Sequence, residues 1–166
     1  MATGPRYKVP FRRRREGRTD YHQRKRLLRG RELRAVVRKS LRHTSIQLVD
    51  FTLEGDKVLV SANSKELTNL GWQFSTSNLP SAYLTGYMAG KRAVAKGIES
   101  AVLDIGLNVP VKGSTCFAAL LGMVDAGLYI PHGEGVMPSE ERVKGHHISD
   151  DIESAMDDII GKLEAD

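Results

Sequence analysis

Arg12, Arg13, Arg14 and Arg15 are four consecutive guanidinium groups, and Arg18, Arg24, Lys25, Arg26, Arg29 and Arg31 follow before residue 32. Charges this dense repel one another and resist burial without a partner. The chemistry open to them is anion recognition. An arginine fork matches two phosphate oxygens at once, and its flat face stacks on a base. Lysine would serve a merely solvated tail equally well, yet arginine dominates this stretch. Tyr7, Phe11 and Tyr21 are interleaved with the charges, and such rings stack on unpaired bases. The basic stripe takes in Lys8 at one end and continues into the body through Arg34, Arg38, Lys39, Arg42 and His43. A tail unconnected to the fold has no use for that continuation. The pattern favours nucleic-acid binding over a localisation signal or a plain solvated tail.

Other chemistries are weaker. The chain has no GxxxxGK[ST], GxGxxG, HExxH or GxSxG motif. Cys116 is the only cysteine and sits in an apolar helical pattern, so it reads as a buried structural thiol. His132, Glu134 and His146 are the best metal set available, but their spacing matches no familiar site, and polarity of loops and caps explains them as well. "VLDIGLN" places Asp104 at the end of an apolar run and just before Gly106. That arrangement resembles the first carboxylate of ribonuclease-H-like nucleases and the first phosphate loop of actin-like ATPases. A two-metal nuclease needs several converging carboxylates; Asp50, Asp104 and Asp125 form the candidate set, and no second phosphate loop accompanies them.

The charge is divided between two parts of the chain. Residues 1–40 hold 15 Lys or Arg against three acids, a balance of +12; the remainder holds 10 against 17, a balance of −7; the two close on the net +5. A basic arm on a mildly acidic body points to a polyanionic partner. Among the 166 residues there is no apolar run long enough to span a membrane, and no apolar signal segment follows the basic start, so a cytoplasmic location is expected. A lone cysteine forms no internal disulfide and no cysteine zinc site. No cofactor and no small-molecule substrate are indicated.

The elements that must position these groups follow from local pattern. Residues 1–18 lack an apolar period and contain Pro5, Pro10, Gly4 and Gly17; this arm is expected to be extended and disordered when free. Thr19 or Asp20 can cap a short helix to about Arg29, ended by Gly30. Residues 1–31 thus form the binding arm and 32–166 an α/β body. "LRAVVRKS" alternates Leu33, Ala35 and Val37 against Arg34, Val36 and Arg38. "TSIQLVDFT" and "KVLVSAN" are further strands, joined by a turn at Glu54-Gly55-Asp56. Pro80 suits the first turn of a helix capped by Ser77 or Asn78 and running to about Lys96 before Gly97. Its small stripe, Gly86, Gly90, Ala93 and Gly97, predicts a close approach to a sheet. "AVLDIGL", residues 101–107, reads as an interior strand covered on both faces. Ser114 or Thr115 starts a helix to about Ala126, "LYI" is a short last strand, and residues 131–148 read as a loop. A final amphipathic helix runs from Asp150 to about Glu164 on Ile152, Met156, Ile159, Ile160 and Leu163. The expected fold is α/β: three antiparallel strands, a parallel fourth, and packed helices.

"FRRRREGRTDY", "VVRKS", "NLPSAYLTGYMAG", "AVLDIGLNVPVKGS" and "DAGLYIPHGE" together resemble, in order and over nearly the whole chain, the 5S-rRNA-binding family of the large ribosomal subunit. The match is to its archaeal form, the L-eighteen family, called L-five in eukaryotes. The resemblance implies a ribonuclease-H-like topology without nuclease activity. It also implies an arm that holds 5S rRNA and anchors it to large-subunit rRNA in the central protuberance, beside neighbouring ribosomal proteins. It carries RNA contact onto Arg12, Arg13, Arg14, Arg15, Arg18, Thr19 and Tyr21, onto Arg24, Lys25 and Arg26 as a basic helix, and onto Arg38, Lys39 and Ser40. Trp72, Asn78, Ser81 and Tyr83 fall in a second matching segment. Two departures stand out: "GSTCFAALLG" lacks the basic residue that relatives often carry after the serine, and some relatives extend past the acidic helix. Two other readings remain beside this one, a metal-dependent nuclease and a protein-only adaptor using the acidic last helix.

Overall fold

Ala35 and Val37 are sealed from solvent while Arg38 and Lys39 are exposed, so the alternation read from "RAVVRK" holds and one face of this strand builds the core. The computed structural model describes residues 4–165. The chain runs α1 (Arg12–Arg15), α2 (Tyr21–Arg29), β1 (Arg34–Lys39), β2 (Thr44–Thr52), β3 (Gly55–Asn63), α3 (Glu66–Asn69), α4 (Leu79–Ala95), β4 (Val102–Asp104), α5 (Thr115–Asp125), α6 (Glu140–Val143) and α7 (Asp151–Ala165).

The four strands lie in the order β3-β2-β1-β4. β1 pairs antiparallel with β2, and β2 with β3. β4 adds in parallel to the other edge of β1, with Val36 opposite Asp104. The mixed α/β sheet expected from the sequence is therefore present. Thr52 pairs with Gly55, so the β2–β3 turn has Leu53 and Glu54 at its tip and Gly55 opens the next strand, two residues earlier than read. β4 is shorter than the predicted 101–107: it ends at Asp104, because Gly106 turns the chain with a φ of +62°. It is also only partly covered at Val102 and Leu103, which corrects the expectation of a strand buried on both faces. The "LYI" strand reduces to one parallel bridge between Ser100 and Tyr129.

α4 begins as read. Asn78 caps it, its side chain accepting from the Ser81 amide at 2.9 Å, with Pro80 in the first turn. Its small stripe, however, faces α5 rather than the sheet. A Cβ on Gly90 would lie 2.6 Å from Ala126 Cβ, a Cβ on Gly86 would strike the Ala119 carbonyl, and one on Gly122 would strike the Tyr83 carbonyl. The glycines thus let two helix backbones touch. Gly97 belongs elsewhere: with φ +73° it ends the helix. α7 buries Ile152, Met156 and Ile159, as its period predicts. α3 and α6 are single turns in stretches that carry no helical period.

The core lies between the sheet and the α4–α5 layer: Ile46, Leu48, Leu84, Met88, Leu120 and Met123 are almost fully buried. Burial of a side chain of this size stabilises by about 1.5–3 kcal/mol. Arm and α2 lie at the opposite side of the sheet, where the charged residues of β1 and the Asp56 end of β3 point.

Candidate nucleic-acid interface

The interface is built on β1. Arg34 and Arg38 occupy alternate positions and share the face opposite Ala35 and Val37. Asp104, at the end of the adjacent strand, serves both. Its Oδ2 lies 3.2 Å from Arg34 Nη1 and its Oδ1 lies 3.0 Å from Arg38 Nη2. Arg38 Nη1 also donates to the Asp104 carbonyl at 2.7 Å. The guanidinium rests on Gly106, where a Cβ would come within 2.9 Å of Arg38 Cζ. "DIG" is therefore a seat for an arginine. That accounts for its small residue and left-handed backbone without phosphate or metal chemistry.

On the other side, Arg34 Nη2 approaches Asp56 Oδ2 at 2.8 Å. The N–H is poorly aligned there, and Nη2 and Nε are both buried without a hydrogen-bond partner; the attraction is Coulombic rather than a directed hydrogen bond. Asp56 in turn accepts from Arg24 Nη2 at 2.8 and 3.0 Å. The result is an alternating line, Arg24–Asp56–Arg34–Asp104–Arg38, that ties α2 to the sheet. Arg24 chiefly holds the Asp56 carboxyl below the usual carboxylate range; burial opposes it, and Arg34 adds to the lowering. Asp56 correspondingly raises Arg24.

The arm stands on this support. Asp20 caps α2, accepting from the amides of His22 at 2.8 Å and Gln23 at 3.2 Å, and these bonds hold its carboxyl below the ordinary value. Gly30 stays right-handed, and it is Arg31, at φ +54°, that takes the left-handed position. Ahead of the cap, Arg13 Nε donates to Thr19 Oγ1 at 2.9 Å. Tyr7 to Phe11 carry no regular structure, but Arg12–Arg15 form one helical turn where an extended arm was expected. Glu16 sits close to Arg18 at 3.1 Å and more loosely to Arg12 at 3.8 Å. Phe11 and Tyr21 meet edge to face at 6.2 Å, with Phe11 largely exposed. Between arm, α2 and the β4 end lies a groove of about 760 Å³, lined among others by Arg13, Arg18, Tyr21, Arg24, Arg38 and Asn108.

Of the predicted contacts, Arg13, Arg18, Thr19, Tyr21, Arg24 and Arg38 line this groove. Tyr7, Lys8, Phe11, Arg12, Arg13, Arg14, Arg15, Arg18, Tyr21, Lys25, Arg26, Arg29, Arg38, Lys39, Ser40 and Arg42 are exposed, and Thr19, Arg24 and His43 partly so. Ser40 and His43 close the β1–β2 hairpin: the Ser40 hydroxyl donates to the His43 carbonyl at 2.8 Å and accepts from its amide at 2.9 Å. Lys39 and Arg42 flank that tip.

Four predicted contacts stand elsewhere. Arg34 is 2% exposed and bound to two aspartates, so it has no face to offer a phosphate. Trp72 is equally buried, its indole N–H donating to the Ser75 carbonyl at 3.1 Å, so its role is packing. Asn78 Oδ1 is committed to the α4 cap. Tyr83 faces α5, its hydroxyl donating to Asp125 at 2.9 Å; burial, helped by that carboxylate, raises its pKa. Ser81 is buried. Asp56 and Asp104 are the functional residues missed by reading for positive charge. Their signal was weak: one looked like turn polarity and the other like a catalytic carboxylate.

The competing chemistries find no geometry. Asp104 is engaged by two arginines and Asp125 by Tyr83. Among the described residues no three His, Cys, Asp or Glu side chains gather as metal ligands. His132 Nδ1 lies 2.8 Å from the Ile130 carbonyl, and His146 Nε2 lies 3.0 Å from Glu153. Cys116 is buried, which pushes its thiol pKa up and away from reactivity. No helix among the described residues is long and apolar enough to cross a membrane.

Comparison with known proteins identifies the family. Residues 5–99 match the family described as "Ribosomal large subunit proteins 60S L5, and 50S L18". The large ribosomal subunit protein uL18 of Methanobrevibacter smithii is 54% identical over 98% of this chain and 84% of its own length. That of Methanococcoides burtonii is 57% identical over 93% and 90%, and that of Haloarcula marismortui 56% identical over 90% and 80%. The chain belongs to this family of large-subunit ribosomal proteins and is a structural, non-enzymatic constituent of the ribosome.

Proposed function

We propose that this chain binds 5S rRNA through its arm and attaches it to the large-subunit rRNA in the central protuberance. The observation that carries the reading is the line Arg24–Asp56–Arg34–Asp104–Arg38, which ties α2 to the sheet, while Arg12–Arg15, Arg18, Lys25, Arg26 and Arg29 all stay exposed and free to meet phosphate. Phosphate contacts from these residues set register. The Phe11–Tyr21 pair is placed where unpaired bases can stack. Lys39, Arg42 and His43 at the hairpin tip offer a further basic patch for RNA.

The arm gains its binding free energy by releasing condensed counterions. Tyr7 to Phe11 complete their order on the RNA, as charged segments without a core do. Removing residues 1–30 tests this. Circular dichroism is expected to show a folded body, and filter binding to show that it no longer retains 5S rRNA. Retention at full-length affinity by the folded, truncated protein would overturn the reading.

A further inference from the structure

A second groove, of about 430 Å³, opens in the α4–α7 helical layer and not on the arm's side of the sheet. Its floor is apolar: Leu121 from α5, Val143 from α6, and Met156 and Ile160 from α7. Its rim is acidic. Asp125, Glu140, Glu153 and Asp157 face a single ammonium, Lys144. Lys144 is already held by Glu153 at 2.9 Å and Glu140 at 3.0 Å, and these two carboxylates push its pKa up to about 12. Four carboxylates against one ammonium leave −3, with Asp125 and Asp157 uncompensated by any cation of the rim. The sign of this rim repels phosphate, the reverse of the arm.

We infer that this groove is an interface for a polypeptide, a Lys/Arg-rich segment with apolar anchors belonging to another protein of the large subunit. The apolar floor takes aliphatic or aromatic side chains, which supply affinity once desolvated. The uncompensated Asp125 and Asp157 take the flanking cations, which supply orientation and reject acidic segments and RNA alike. The chain is thus two-sided: one side for polyanion, the other for polycation, consistent with its +12 front and −7 remainder. The inference is independent of which RNA the arm holds.

A photo-crosslinking amino acid placed at position 140, in protein assembled into purified large subunits, tests it while leaving Asp125 and Asp157 in place. Mass spectrometry is expected to find the crosslink in a Lys/Arg-rich segment of a different ribosomal protein. Adding Asp157→Lys to the same protein should cut the yield at least about tenfold, as like charges then face one another. Crosslinks to rRNA, to an acidic segment or to a second copy of this chain, or none at all, would overturn the inference. The same crosslinker at position 7 reports the arm's contact separately, so failure at the groove and failure of the RNA reading give different results.

Discussion

Arg34 and Asp104 meet at 3.2 Å across the parallel β1–β4 pair, with side chains only 3% and 7% exposed. A charge pair this deep is costly to break from one side, because the remaining ion is left without water or a partner. Asp104 also neutralises Arg38, so its removal strands charge on two arginines. Asp104→Asn is therefore expected to destabilise the protein by about 3 kcal/mol, the low end for breaking a buried pair. Urea unfolding followed through Trp72 measures this. A loss under about 1 kcal/mol would show that Asp56 alone is enough for Arg34.

Arg34 also marks the boundary of what the sequence makes legible. Strand alternation places it opposite Ala35 and Val37, which is right, and its charge makes it read as part of the RNA-contacting stripe. It is covered, because carboxylates 22 and 70 residues away in the chain, Asp56 and Asp104, meet it there. No local period encodes such partners. The Gly86–Gly90 stripe fails in the same way: small residues announce a close approach without naming the neighbour, which proved to be α5. Asn78, Pro80, Gly97 and the α7 period were legible because caps and amphipathic faces are properties of a few adjacent residues. The arginine arm was legible for a similar reason, since its chemistry lies in composition.

The two helices make that approach testable. Gly86→Ala and Gly122→Ala drive a methyl into backbone carbonyls of the facing helix, which cannot swing away as a side chain would. Each should cost about 1–3 kcal/mol of overpacking. Gly161, within α7, has open space where a methyl would sit, with nothing inside 4 Å, so Gly161→Ala should be neutral or stabilise by up to about 1 kcal/mol. Thermal unfolding of the three variants should give opposite signs for the first two and the last.

Asp56 predicts an acid-sensitive attachment of α2. Its carboxyl is held below the ordinary value, chiefly by Arg24. A group whose folded pKa is depressed contributes stability that is fully present above its unfolded value, about 3.9, and lost as pH falls through the folded one. The α2 amide resonances should therefore hold steady from neutrality to about pH 5 and shift together only below the usual carboxylate range. Asp56→Asn should leave only the shift of the Asp20 cap at the first α2 amides and loosen α2 at every pH. A transition already complete near pH 5 would mean that Arg24 does not hold the carboxylate.

Salt dependence separates the arm's charges from its geometry. If about six phosphates are neutralised, log affinity for 5S rRNA should fall with log salt at a slope of roughly −5. Replacing Arg12, Arg13, Arg14 and Arg15 with alanine should flatten the slope by about one unit for each phosphate left without its arginine, while the folded body is untouched, since none of the four is buried. Asp56→Asn should behave differently. It adds positive charge to the same surface, so weak binding to unrelated RNA should rise. It also frees Arg24 and α2, so preference for 5S rRNA should fall. An arm that acts as a bare polycation would instead gain affinity for both RNAs alike, and titrating the variant against 5S rRNA and a scrambled RNA of equal length decides between the two.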